Sequence, residues 1–453
     1  MHESTKFQRS LTLLPVVLFG FSFMALGTVF STYGIAAQMS HGMVAGSYVI
    51  ALCVMLFTAY SYGQMAKEFP YSGSAYTFAQ KSIHPYIGFL VGWSILLDYL
   101  FIPMVNYLLF GIFFSAAFPA IPGYVWILFM LLLVTSVNII GLKLANAVNV
   151  IATVIVFCFI IIFCVLSIRS ILNGVGTGLL FTSAPFYNPN EHFSFLIVGA
   201  SLLCFSFLGF DSVTAFSEEI VNPKKNIPRA IFIITIVGGL IFIIVSYLSQ
   251  NVWPDYQSFK DPDSASAEII KLVGGSFLTG AFLVLYGVGV FVSSMVSQAS
   301  AARVLYAMGR DGQLPKRWFG HLNKKFKTPV NNILVISLFS LLALILSLSL
   351  VASFINFGAF FAFTCVNISV IFHYFFRKKK RSFKGAALYV ILPLAGAVLD
   401  IWLLVKLDFH SKVLGTMWLA AGIVYLVCLT KGFKKRPPEI KMTSVEASIS
   451  NSL

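Results

Sequence analysis

Apolar stretches of roughly 20 residues, each followed by a short polar one, recur along the whole chain. They fall at 11–37, 44–66, 87–117, 124–140 and 146–168, then at 195–217, 227–250, 277–308, 330–350 and 353–376, with two more at 386–405 and 413–430. Each reads as a helix that crosses a bilayer, because only helices and closed barrels satisfy their own backbone polar groups in lipid. The pattern therefore predicts an all-α membrane protein with twelve transmembrane helices.

Two stretches carry polar interruptions near their middle. The sixth holds Cys204-Phe205-Ser206-Phe207-Leu208-Gly209-Phe210-Asp211-Ser212. A carboxylate at that depth costs several kcal/mol unless it meets a partner, water or a substrate. Glycine weakens helix continuity at the same place. A helix broken at mid-membrane is tolerable where it lines a cavity, so the stretch reads as one wall of a binding site. A packed helix with a glycine contact and a paired Asp is the alternative. The first stretch has its own irregularity at Met24-Ala25-Leu26-Gly27-Thr28.

The two halves echo each other. The third and eighth stretches are both over-long, which predicts tilt, and each follows a polar, non-spanning segment, 68–85 and 253–275. With irregular first and sixth spans, this predicts a five-plus-five inverted repeat whose site lies where the broken helices meet. The expected division is a short terminus at 1–10, repeat one at about 11–168, repeat two at about 195–376, two extra helices at about 386–430, and a polar, disordered tail at 431–453.

Composition agrees: of 453 residues, 58% are hydrophobic and only 10% charged, against roughly 25% in soluble domains. The net charge of +15 raises nucleic acid as a partner, but its distribution argues against it. Twelve spans put both termini on one side, and 26 of the 31 Lys and Arg residues fall on that side. Such a bias places both termini in the cytoplasm, and the expected location is the plasma membrane. The basic residues read as topology signals facing anionic lipid. Cys53, Cys158, Cys164, Cys204, Cys365 and Cys428 all lie in apolar stretches without metal spacing and read as packing residues. The first stretch is too long for the core of a cleavable signal.

Particular motifs resemble a known family, the amino acid–polyamine–organocation (APC) transporters. They are Phe207-Leu208-Gly209-Phe210-Asp211 with Ser217-Glu218-Glu219 and Asn222-Pro223; Phe69-Pro70-Tyr71-Ser72-Gly73-Ser74-Ala75-Tyr76; Gly92-Trp93 with Leu97-Asp98-Tyr99; and Arg303 with Tyr306-Ala307-Met308-Gly309-Arg310-Asp311-Gly312. Within that family the chain looks most like bacterial putrescine importers, through Gln80-Lys81-Ser82-Ile83-His84-Pro85 and the run from Gly92 to Met104. The resemblance implies a LeuT-like, alternating-access carrier with a central site between broken spans one and six. In amino-acid members a Gly-Ser-Gly-like loop there holds the substrate carboxylate. Here the matching residues are Ala25-Leu26-Gly27, with one glycine left and leucine for serine. Some proton-coupled members carry a lysine in span five; the matching position here is Val156.

Asp98 is the residue to weigh most closely. It sits within span three among leucines, where an acid is neutral, paired or facing a cavity. No Lys or Arg lies at comparable depth, so a cationic substrate or a bound proton would serve as partner. The plainer reading is that Asp98 hydrogen-bonds a broken backbone. Asp211 follows the break in span six and could cap the lower half-helix instead of touching substrate. Carbonyls freed around 206–209 would suit an ammonium group. Trp93, Tyr99, Phe207, Phe210 and Tyr286 are candidates for a cation–π lining. Glu218 and Glu219 read as gate or loop partners of Lys224, Lys225 or Arg229. The expected substrate-binding set is Ala25, Gly27, Thr28, Asp98, Tyr99, Phe207, Gly209, Phe210, Asp211 and Tyr286.

Two membrane-embedded acids, a weakened carboxylate cradle and no intramembrane base favour import of a small diamine, putrescine or a related polyamine. An amino-acid permease is the alternative. No catalytic residue, metal or cofactor is expected, and a proton is one candidate for the coupling ion. A sensor lacks an appended domain, a channel lacks a filter-like repeat, and an enzyme lacks a His-rich metal set or a nucleophile–base pair. The sequence leaves the oligomeric state open.

Overall fold

The computed structural model describes residues 11–70, 74–140, 146–217, 220–310, 314–323, 326, 328–435 and 437. The N-terminal segment 1–10, the tail beyond 437 and the pair Glu218 and Glu219 lie outside the described residues. So do Tyr71-Ser72-Gly73 and Asp311-Gly312 of the motifs quoted above.

The described residues are helical, apart from turns and one isolated bridge between Leu11 and Ile220. The helices are α1 (Leu13–Met24), α2 (Thr28–Met39), α3 (Val44–Glu68), α4 (Ser74–Ser82), α5 (Pro85–Ala117), α6 (Gly123–Ile140), α7 (Asn146–Leu172) and α8 (Phe193–Leu203). They continue with α9 (Pro223–Val252), α10 (Ala265–Arg310), α11 (Lys316–Phe319), α12 (Val330–Ser340), α13 (Leu348–Val370), α14 (Phe383–Ala386), α15 (Leu392–Lys406) and α16 (Phe409–Leu429). Among the described residues ten stretches are long and apolar enough to cross a membrane, and α1 with α2 forms an eleventh, bent by 44°. Val330–Leu344 is apolar but shorter, because α12 tightens into a 3₁₀ turn at Leu341–Leu344 and stops before α13. The chain is thus a multi-pass membrane protein. Its outer surface is correspondingly oily: Leu132, Leu338 and Val424 are all well over half exposed.

The polar segment before the third span holds a short helix, and the one before the eighth runs through a loop and a 3₁₀ turn at Pro262–Ser264. α4 precedes the 33-residue α5, and the first turns of α10 precede a kink at Gly275, whose φ is 64°. The core gathers around α3, α5, α9 and α13. Trp93 of α5 and Trp418 of α16 stack with ring centroids 5.0 Å apart. Each indole N–H donates to the other residue's backbone carbonyl, at 2.9 and 3.0 Å. Trp93 therefore ties α16 to the bundle.

Both expected breaks are present. Between α1 and α2, Ala25 takes a left-handed φ of 47°, an uncommon conformation for a residue with a Cβ. Thr28 stabilises it: its backbone N–H and its Oγ1 both donate to the Ala25 carbonyl, at 2.8 and 2.9 Å. In the sixth span α8 tightens to 3₁₀ at Cys204–Phe207, unwinds at Leu208 and Gly209, and resumes as 3₁₀ over Ser212–Phe216. The Gly209 φ is 108°, which favours glycine strongly. A Cβ there would also lie 2.9 Å from the backbone of Phe23 and Met24. The two breaks therefore touch, and Gly209 is what lets them.

Candidate functional site

A cavity of about 100 Å³ opens at the break in the first span. Ala25, Gly27 and Thr28 line it, with Ser31 on α2, Asn106 on α5, Thr153 and Val156 on α7, and Tyr286 and Ser293 on α10. Its polar groups are hydroxyls, amides and backbone, and no charged side chain lines it among the described residues. Tyr286 and Ser31 share a hydrogen bond of 2.5 Å across the cavity wall. Asn106 Nδ2 donates to Ser293 Oγ at 3.0 Å, joining α5 to α10. The Tyr286 ring is held by Phe113 and Phe282 at 4.7 and 5.1 Å. Val156 lies in the same wall.

The rest of the expected set falls elsewhere. Asp98 and Asp211 form a second centre, close enough for the charge of one to act on the other, and both act on Tyr62 and Tyr99. Oδ1 of Asp98 is shielded from solvent and has no hydrogen-bond partner. Tyr62 Oη donates to Oδ2 of Asp211 at 3.4 Å. Asp211 does stand at the start of the lower 3₁₀ segment, but its side chain makes no capping bond. The cap is made by backbone: the Asp211 carbonyl accepts from the N–H and the Oγ1 of Thr214, at 2.9 and 2.7 Å.

Phe207 and Phe210 are fully buried. Phe207 packs edge-on against Phe242 at 5.4 Å, and Phe210 packs between Tyr62 and Phe363, 5.5 Å from each. They shape the break and do not line the cavity. Tyr286 is the one of the five expected aromatics that lines it.

The carbonyls around 206–209 are partly turned back on the chain. Phe205 O accepts from Leu208 N–H at 3.2 Å, and Gly209 O accepts from the N–H and Oγ of Ser212. One turn earlier, the fully buried Asn356 of α13 donates Nδ2 to the carbonyls of Ser201 and Leu202, at 2.8 and 3.0 Å. A polar side chain from another span thus satisfies backbone groups freed as α8 tightens.

A third acid was not weighed from sequence. Asp400, on α15, is fully buried and hydrogen-bonded to Thr58 and Asn367. Its signal was the same one that singled out Asp98, an acid inside an apolar span.

Two mid-membrane helix breaks in contact, one of them opening on a small polar cavity, define a carrier built for a small solute. The family model described as amino acid permease matches residues 17–429, and the chain belongs to that family. It is 41% identical over 95% of its length to the low-affinity putrescine importer PlaP of Escherichia coli K12, covering 96% of that protein. It is 27% identical to the branched-chain amino acid permease BcaP of Bacillus subtilis, with 90% of each chain covered. It is 26% identical to the methylthioribose transporter of Bacillus subtilis, with 94% of each covered.

Proposed function

We propose that this chain is a secondary active transporter that imports a small cationic amine, putrescine or a related polyamine, across the plasma membrane by alternating access. The observation that carries this reading is Asp98. Its Oδ1 is shielded from solvent and has no hydrogen-bond partner, and the charged group acting on it among the described residues is a second acid, Asp211. Two acids with no base beside them among the described residues leave a deficit of positive charge that an ammonium group or a proton makes good. The likeness to a putrescine importer supports the same reading.

In this account one ammonium end of the substrate meets the hydroxyls and carbonyls at Ala25, Gly27, Thr28 and Tyr286. The other is neutralised at Asp98 and Asp211, with Tyr99 beside them and Phe207, Gly209 and Phe210 setting the shape of the break. The architecture is twelve spans in two inverted five-span repeats plus two extra helices, with both termini in the cytoplasm. Contact between the two breaks supports this, because movement of one half-helix is felt at the other. The test is uptake by Asp98→Asn and Asp211→Asn variants that reach the membrane. Wild-type putrescine transport by Asp98→Asn would remove that residue from recognition.

A second reading is an amino-acid permease. The uncharged cavity lining favours it, since a zwitterion needs no fixed carboxylate there. Competition of putrescine uptake by neutral amino acids separates the two.

A further inference from the structure

Asp400 stands apart from both centres described above. Thr58 of α3, Asn367 of α13 and Asp400 of α15 are all 0% exposed. Thr58 Oγ1 donates to Asp400 Oδ2 at 3.1 Å, with Oδ1 at 3.4 Å. Asn367 Nδ2 donates to the same Oδ2 at 2.9 Å and to Thr58 Oγ1 at 3.1 Å. The Asn367 amide lies flat against Gly396, one turn before Asp400, where a Cβ would sit 2.8 Å from Oδ1. That Oδ1 is buried and has no hydrogen-bond donor. Among the described residues, the titratable groups facing Asp400 from the packed elements are Tyr62 of α3 and Cys204 at the end of α8, neither of them a base. A buried carboxylate with two neutral donors and no cation against it among the described residues is an unbalanced charge.

We propose that Asp400 is a proton-binding site, clasped by Thr58 and Asn367 and mechanically joined to the break of the sixth span. The hydroxyl of Thr58 makes both states tolerable. It donates to the carboxylate, and by rotating it accepts from the carboxylic acid. Asp400 takes one proton from the aqueous phase, one O–H bond forms, and the site goes from charge −1 to neutral. The link to the transport path is short. Thr58 and Tyr62 lie one turn apart on the same face of α3, and Tyr62 donates to Asp211 at the break. On α13, Phe363 lies one turn before Asn367 and packs on both Tyr62 and Phe210. A change of charge at Asp400 therefore acts on the two side chains that hold Asp211 and Phe210 in place. A sodium ion would fit this shell less well, because the Asn367 nitrogen stands where a metal needs an oxygen.

The proposal rests on the transport reading, and its test keeps the two apart. The full chain is reconstituted with the membrane potential clamped, and radiolabelled putrescine is followed in three regimes: counterflow without gradients, uptake driven by one pH unit, and uptake driven by sodium at equal pH. In wild type one coupled proton supports roughly tenfold accumulation per pH unit. Asp400→Asn should bring that ratio close to one, while counterflow falls by no more than about fivefold, the scale of a single lost hydrogen bond. Wild-type accumulation by Asp400→Asn overturns the proposal, and so does sodium-driven accumulation by wild type. Absence of wild-type counterflow instead overturns the transport reading. Infrared spectra then decide for Asp400 alone, and also where Asp400→Asn fails to fold. Thr58→Val must shift a carboxylic C=O stretch that titrates in wild type, and an unmoved band overturns the assignment.

Discussion

Ser31 Oγ and Tyr286 Oη lie 2.5 Å apart, so the helix after the first break is hydrogen-bonded to the 46-residue α10 across the cavity. Tyr286→Phe keeps the ring packed on Phe113 and Phe282 but deletes this bond. One hydrogen bond is worth about 1 kcal/mol, so putrescine KM should rise about fivefold with little loss of protein. Uptake kinetics on expression-matched vesicles measure this.

Asp98→Asn removes a charge and keeps the shape. A hydrogen bond to a charged group is worth about 1.5–3 kcal/mol, so kcat/KM for a diamine should fall about 10- to 100-fold. The same variant should affect a neutral solute far less, and parallel uptake of the two checks the difference.

Gly209→Ala should be poorly tolerated for two independent reasons. Its φ of 108° disfavours any side chain, and the added Cβ meets the Phe23–Met24 backbone at 2.9 Å. Strain of this kind costs on the order of 1–3 kcal/mol. A lower melting temperature in detergent, together with lost uptake, is the expected result.

Asn356→Ala leaves two buried backbone carbonyls, of Ser201 and Leu202, without their second-span donor. The cost is about 1–3 kcal/mol. Because these carbonyls lie just before the 3₁₀ turn, both stability and uptake should fall. Asn356→Asp, which also lacks the amide donor, should not restore either.

The spans were legible because lipid imposes a simple rule, about 20 apolar residues per crossing, and the described helices keep close to the expected limits. The breaks were legible too, since Gly27, Gly209 and Asp211 interrupt apolar runs. Their internal geometry was not. That Ala25 and not Gly27 takes the left-handed conformation depends on Thr28 bonding back to the Ala25 carbonyl. That the Asp211 carboxylate accepts from Tyr62 and makes no capping bond shows only in the structure. Periodicity also could not divide the expected site residues between a neutral cavity and an acidic centre, because that division depends on how α5, α8 and α10 face one another. Asn356 and Asp400 are ordinary polar residues in apolar runs until their partners on α8, α3 and α13 are known.

The central claim, a carrier for a small cationic amine, is tested most directly by counterflow in proteoliposomes loaded with putrescine and challenged with a panel of polyamines and amino acids. The account predicts rapid exchange of labelled putrescine, competed by other diamines and not by neutral amino acids. Exchange of a neutral amino acid that putrescine leaves untouched would contradict it.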